Sequence, residues 1–368
     1  MNSLSEWVEY EIQGAIGQIT LNRPKALNAL NLAMVRALTH VLTQWRDNPA
    51  VQAVAIRGRG KVDDFSNFCA GGDIRFFHAA AHAGDPQLED FFTEEYALNH
   101  LIHCYPKPYV AFMDGVVMGG GMGISQGASH RLVTPSTKMA MPETNIGLFP
   151  DVGAGYFLRR CSGHTGEWLA LTGTVMDATQ ALALGLADLL LERDQLQATW
   201  DGLAHLPRAG KREIDGCLSG FATGSHATPA LPLQEIDQFF ALQSVNDIVT
   251  ALESDGSEWA QTTAGLLRQR SPLMLHVALE QIRRARTMDL ADDLRMERDL
   301  MRHCFAPRHL GRLGSASEAV EGIRALVIDK DQPPRWQPPR IEDIQHHMVA
   351  PFFDSPWPTA AHPLAGLA

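Results

Sequence analysis

The sequence predicts an α/β core built on parallel strands, with a helical C-terminal third. Strand-like and helix-like stretches alternate from Val8 to the middle of the chain, which is the pattern of parallel strands joined by helical crossovers. After about residue 205 the apolar residues recur only at helical spacing. With 368 residues, 45% of them hydrophobic and 20% charged, the chain is long enough and apolar enough to bury a large core.

VEYEIQGAIGQIT, from Val8, alternates about a central glycine and predicts a hairpin of two short strands. Arg23-Pro24 ends that pattern. NLAMVRALTHVLTQWRDN then carries a helical stripe that stops at Asn48-Pro49. VQAVAIRGRG predicts a buried strand, KVDDFSNFCAGGDIRFF a loop and turn, and the residues after it a polar linker. EDFFTEEYALNHLIHCY predicts a helix and YVAFMDG, after Pro106 and Pro108, another strand. GHTGEWLALTG and DATQALALGLADLLL predict two further helices.

KREIDGCLSGFATGSHATPALP, rich in Gly, Ser, Thr and Pro, predicts a connecting loop, and four helical patterns follow it. Residues from Gln332 onward hold eight of the 21 prolines and predict an extended strap or partial disorder. The expected division is a core over 1–205, a loop and helical region over 206–345, and a Pro-rich tail over 346–368.

A net charge of −11 argues against nonspecific binding to nucleic acid or to an anionic membrane, both of which need a basic face. Five cysteines, odd in number and without a CxxC, fit reduced thiols of a cytoplasmic protein. The first residues, MNSLSEWVEYEIQG, are acidic where a signal or transit peptide is basic.

GISQG, Gly123 to Gly127, matches the G-x-S-x-G of serine hydrolases. That motif needs a strand running straight into the turn, and VVMGGGM before it is too glycine-rich for one. His100, His103 and Cys104 share a helix face, but they and the pair His346-His347 are too few for a metal site of known spacing, so no metal is expected.

Two glycine segments, CAGGD at Cys69–Asp73 and MGGGMG at Met118–Gly123, are more informative. Glycines before a helix let the backbone approach a ligand and aim N–H groups at it, which stabilises an oxyanion without a side chain. Glu143 and Asp151, eight positions apart in MPETNIGLFPD, lie in an otherwise neutral run.

Taken together, LNRPKALNAL, FCAGGDI, KPYVAFMDGVVMGGGMG and MPETNIGLFPDVGAGYFLRR resemble the crotonase (enoyl-CoA hydratase/isomerase) superfamily, in its order and spacing, over nearly the whole chain. TEEYALN, LFPDVG and EGIRALVIDKDQPPRW are most similar to its 3-hydroxyisobutyryl-CoA hydrolase branch. The resemblance implies a ββα spiral with helices at its C-terminal end and an acyl-CoA thioester as substrate, with no metal or redox cofactor. Oligomers are common in the superfamily, so a homo-oligomer is possible.

It also implies roles for residues. The N–H groups of Gly72 and Gly120 would form an oxyanion hole. Glu143 would act as general base or nucleophile, and Asp151 as its partner. Glu95 would face the acyl group, joined there by Gly120, Glu143 and Asp151. Lys25, Ala26, Leu27, Ala70, Asp73 and Ile74 would contact CoA, with Arg23 and Lys330 as further sources of positive charge. Hydratases of the superfamily carry another glutamate shortly after the GGG, and Gly123 occupies that position here. The expected reaction is therefore hydrolysis of a short 3-hydroxyacyl-CoA, 3-hydroxyisobutyryl-CoA in valine breakdown or a relative of it. Hydration or isomerisation of an enoyl-CoA is the alternative. Serine hydrolysis through Ser125 and acyl-CoA binding without catalysis rank lower.

Overall fold

The computed structural model describes residues 2–61, 65–222 and 229–368. Its contacts group the chain into two compact units made of interleaved segments. One, the sheet unit, comprises Met1–Gly72, Ala97–Ala140 and Val175–Ala230, and the other, the helical unit, Asp73–Tyr96, Met141–Thr174 and Leu231–Ala368.

Among the described residues the sheet unit contains nine strands: β1 (Asn2–Ser5), β2 (Val8–Gln13), β3 (Ile16–Leu21), β4 (Ala53–Gly58), β5 (Tyr109–Met113), β6 (Val116–Met118), β7 (His130–Val133), β8 (Lys138–Ala140) and β9 (Leu189–Leu190). The expected hairpin is β2 and β3, antiparallel, with Gly14 at φ 59° in its turn. β1, which pairs antiparallel with β2, has no counterpart among the expected strands. From β3 onward the main sheet is parallel in the order β3-β4-β5-β7-β9, while β6 and β8 form a second parallel sheet. Single bridges from Cys69 to Val117 and from Met139 to Met176 extend that second sheet on both sides. Each turn of the chain thus gives one strand to the long sheet and one to the short sheet, which is the expected spiral.

β4 and β5 are buried at every position, as their unbroken apolar runs require of central parallel strands. The helix Leu32–Arg46 starts at Asn31, whose side chain accepts the N–H of Met34. It lays Trp45 against the hairpin, where a Cβ on Gly17 would stand 2.4 Å from the indole ring. Phe65, Phe112 and Trp200 pack edge to face or tilted, with ring centroids 5.3–5.9 Å apart. The Arg57 guanidinium covers Phe65 and Trp200.

Several local expectations are corrected. A helix, Ile74–Ala83, runs from the end of the expected loop and turn into the supposed polar linker, because Ala-rich HAAAHA favours helix and Asp73 caps it by accepting the N–H of Phe76. Lys211–Ser219 is a helix and not part of a loop. Ile214 and Leu218, one turn apart, bury into the same core as Trp200 and Leu203. The rest of the expected loop includes residues 223–228, which lie outside the described residues. The first of the four C-terminal patterns divides into Leu233–Phe240 and Val245–Ser254, where Ser244 and Asp247 form a capping box. The tail is no extended strap: short helical turns at Ile341–Asp343, His346–Val349 and Ala350–Phe353 hold it, with Trp336, Ile341, Phe352 and Leu364 buried.

Gly17→Ala is expected to destabilise the chain by about 1–3 kcal/mol, the cost of overpacking a buried contact that cannot relax. Denaturant unfolding followed by tryptophan emission measures it, and an unchanged midpoint would show that the Trp45 contact is looser than described.

Candidate active site

Three carboxyl groups converge in the helical unit. Glu95 comes from the helix Gln87–His103, Glu143 from the short turn Glu143–Ile146, and Asp151 from the loop that follows. All three are buried, at 2%, 7% and 7% exposure. In TEEY, Glu94 is only half-buried, so Glu95 is the residue of that pair that joins the cluster. The Tyr96 hydroxyl, also buried, donates to Asp151 Oδ2 at 2.8 Å. Among the described residues neither Glu95 Oε1 nor Glu143 Oε2 has a hydrogen-bond partner.

Packing like charges together out of water disfavours ionisation. Burial pushes the Asp151 carboxyl up to about 6 even though the Tyr96 phenol pulls the other way. Burial and the charge of Asp151 push Glu143 well above the usual carboxylate range. Glu95 is raised likewise by burial, then by Asp151 and Glu143. A buried carboxylate with an uncommitted oxygen and a raised pKa is suited to take a proton from water, or to attack an electrophilic carbon, near neutral pH.

The turn that carries Glu143 is gripped from two directions. Ser271 donates its N–H to the Thr144 carbonyl at 3.0 Å, and Arg270 bonds the Asn145 side chain at 2.9 Å. On the other side the helix Glu318–Ile323 lies so close that a Cβ on Gly147 would meet the Glu318 carbonyl oxygen at 2.2 Å. A Cβ on Gly322 would meet the Ile146 backbone at 2.4 Å. This gives the EGIRALVIDKDQ segment a physical role: its glycine lets the backbone seat against the turn that presents Glu143.

In the sheet unit the two glycine loops lie side by side. Cys69 bridges to Val117, and Gly121 sits where a Cβ would be 2.3 Å from the Cys69 carbonyl oxygen. Gly71, at φ 106°, and Gly119, at φ 47°, adopt conformations that side chains resist. Gly120 opens the helix Gly120–Gln126, where the first N–H groups have no carbonyl within the helix. Gly72 ends the neighbouring loop. Gly123 is buried inside that helix and donates its N–H to the Gly119 carbonyl, so no carboxylate stands at this position.

Lys25 and Ala26 lie in the turn Pro24–Ala26, followed by Leu27 at φ 50°. The Ala70 N–H donates to the Leu27 carbonyl at 3.0 Å, which joins this turn to the first glycine loop. Asn28, unnoticed in the sequence, makes the junction: its side chain accepts from the Arg23 N–H and donates to the Asn67 carbonyl at 2.7 Å. Arg23 is committed to the same turn through the Ala29 carbonyl. Asp73 and Ile74 belong to the helical unit, at the start of the helix that Asp73 caps. Lys330 is exposed there, at φ 57°.

Ser125 does not form a nucleophile elbow. It lies inside the helix with no exposed surface, and its hydroxyl donates to the Gly121 carbonyl at 2.8 Å. Tyr96 is the other functional group that sequence reasoning misses; its place beside Glu95 in TEEYALN is visible, but its partner is 55 positions away.

Known proteins resemble the chain over most of its length. The chain matches the enoyl-CoA hydratase/isomerase family over residues 16–353. It is 38% identical to the mitochondrial 3-hydroxyisobutyryl-CoA hydrolase of Xenopus tropicalis, over 93% of this chain and 87% of that protein. A probable 3-hydroxyisobutyryl-CoA hydrolase of Arabidopsis thaliana is 35% identical over 94% and 90%. Among solved structures, a carnitinyl-CoA dehydratase of Mycobacterium thermoresistibile superposes with a TM-score of 0.86 at 35% identity, covering 95% of this chain and 96% of that one. An enoyl-CoA hydratase of Rhodobacter sphaeroides does so with a TM-score of 0.83 at 34% identity, covering 95% and 98%.

The raised carboxyls make stability depend on pH. A group held protonated in the fold contributes its stability fully below the unfolded-state pKa, and loses it as pH rises through the folded value. Glu95→Gln is therefore expected to melt with the parent at about pH 4 and a few degrees above it at about pH 8. Equal melting temperatures at the higher pH would contradict a buried, raised Glu95.

Proposed function

We infer the function from one premise: the chain belongs to the enoyl-CoA hydratase/isomerase family, the crotonase superfamily. Within it the chain hydrolyses the thioester of a short 3-hydroxyacyl-CoA, with 3-hydroxyisobutyryl-CoA, an intermediate of valine breakdown, as the first substrate to test. No metal or redox cofactor is needed for this step. The observation that carries the reading is the buried Glu143, with a free oxygen and with Glu95 and Asp151 as neighbours, in a chain that has Gly123 where a hydratase has its other glutamate. Adding water to a double bond calls for a positioned base and a positioned acid, and the loss of one leaves that chemistry poorly served. Thioester hydrolysis needs one activated oxygen nucleophile and a place for the charge that develops on the carbonyl oxygen.

In the proposed mechanism the N–H groups of Gly72 and Gly120 take up that charge, a contribution whose loss costs about 10²–10³ in rate when one donor is removed. Glu143 supplies the nucleophile in one of two ways. As general base it takes a proton from water while the water oxygen bonds to the thioester carbon, and the carbon–sulfur bond then breaks so that CoA leaves as the thiol with that proton. As nucleophile its own oxygen bonds to that carbon. CoA thiolate then leaves, and water opens the mixed anhydride to return the carboxylate. Transfer of labelled oxygen from water into the Glu143 carboxylate during a single turnover separates the two. Asp151, held by Tyr96, sets the protonation of Glu143 by its charge, and Glu95 meets the polar end of the acyl group.

Glu143→Gln is expected to lower thiol release by about 10²–10⁴ while CoA binding persists, whereas Ser125→Ala leaves turnover largely intact. Thiol release retained in Glu143→Gln would overturn the mechanism. Measured over a panel of short 3-hydroxyacyl-CoAs with enoyl absorbance followed in parallel, thiol without enoyl turnover identifies the hydrolase. For the parent, kcat/KM rises with pH through a midpoint above the usual carboxylate range, because Glu143 must lose its proton. Removing the neighbouring negative charge in Asp151→Asn eases that ionisation, so the midpoint moves to lower pH. An upward move would exclude Asp151 as the group that raises Glu143.

A further inference from the structure

Asp151 sits on an unfavourable piece of backbone. The next two residues, Val152 at φ 58° and Gly153 at φ 87°, are left-handed, and a β-branched residue in that region is an outlier. Such conformations persist only where the surroundings enforce them. The helix that follows, Ala154–Leu158, has no side-chain cap from its own segment.

The enforcement comes from well over a hundred residues away. Glu297, on the helix Leu290–Phe305, accepts the Gly153 N–H on Oε2 at 2.7 Å and the Gly155 N–H on Oε1 at 3.2 Å. Asp293, one turn earlier on that helix, accepts the Tyr156 N–H at 2.8 Å. Gln281, on the helix Pro272–Ala285, donates both to Glu297 Oε1 at 3.0 Å and to the carbonyl of Pro150 at 2.6 Å. Each of the three is fully buried. Their contacts thus fall immediately before Asp151 and at three of the five residues after it.

Gly155 is part of the fit, since a Cβ there would stand 2.2 Å from Asp293 Oδ1. Two buried acids one turn apart are a costly way to cap a short helix, for which a serine or asparagine would serve. Burial pushes Asp293 up to about 7, against the Tyr156 amide and the charge of Arg159, and burial with the charge of Asp293 raises Glu297.

We propose that Gln281, Asp293 and Glu297 form a bracket that positions Asp151 for the reaction by holding the Val152–Gly155 backbone in its strained path. They are positioning residues: they act through the loop and through Asp151. The inference rests on the thioesterase reading for its kinetic consequence, whereas its structural half can be tested without any substrate.

Glu297→Gln keeps the size of the side chain and turns one acceptor into a donor facing amide N–H groups. Hydrogen exchange is expected to quicken in the peptide covering 148–158 and to stay unchanged in β4 and β5. With 3-hydroxyisobutyryl-CoA, kcat is expected to fall by about 10²-fold, the scale of a misplaced catalytic group, with KM within about threefold of the parent. Gln281→Met, which removes the donor to Pro150 and Glu297 without burying a new charge, repeats the test if Glu297→Gln fails to fold. Unchanged exchange in 148–158, or quickened exchange with unchanged kcat, overturns the proposal. If the parent releases no thiol from any 3-hydroxyacyl-CoA, the thioesterase reading falls and exchange alone decides whether the bracket exists.

Discussion

Three carboxyl groups kept out of water beside one another are the constraint to which the rest of the helical unit answers. Left to themselves, Glu95, Glu143 and Asp151 would separate or hydrate, because each ionisation raises the cost of the next. They stay together because each is fixed from elsewhere: Glu95 by a long helix, Glu143 by a turn wedged against Gly322, and Asp151 by a phenol and by the bracket behind its loop. Keeping these buried carboxyls together, each with its pKa raised, costs stability, a cost commonly met at functional sites.

In the proposed reaction the sheet unit answers a different need. A thioester oxygen that gains charge is stabilised best by donors that do not have to move, such as backbone amides fixed by the fold. The spiral delivers two glycine loops side by side because successive turns place corresponding segments one strand spacing apart, as the bridge between Cys69 and Val117 shows. Glycine is required where one backbone must cross another, at Gly121 against the Cys69 carbonyl and at Gly71 with its positive φ.

Much of this is legible in the chain. The hairpin, the buried strands and the C-terminal helices follow from the period of the apolar residues, and the two glycine loops and the MPET carboxylate follow from short motifs. Expectations fail where local composition and tertiary burial disagree. Lys211–Ser219 has the look of a loop, but Ile214 and Leu218 find a core to enter. The proline-rich tail resembles a strap, but Trp336, Phe352 and Leu364 are buried and pin it down. GISQG, set aside in the sequence as a nucleophile elbow, is none in the fold, where its serine is used up in bonding its own helix.

The sequence by itself determined the class of fold and the family, and it singled out Glu143 as the carboxylate proposed to react, because these rest on residue types at fixed short spacings. Gly123 likewise weighs for hydrolysis over hydration through its residue type alone. The family resemblance already grouped Glu95, Glu143 and Asp151, and tertiary structure alone decided what holds them. Tyr96 reaches Asp151 across 55 positions, and Glu297 reaches Gly153 across 144. Such pairings leave no periodic trace in the chain, since a hydrogen bond between distant segments is set by how helices pack and not by the spacing of the residues that make it.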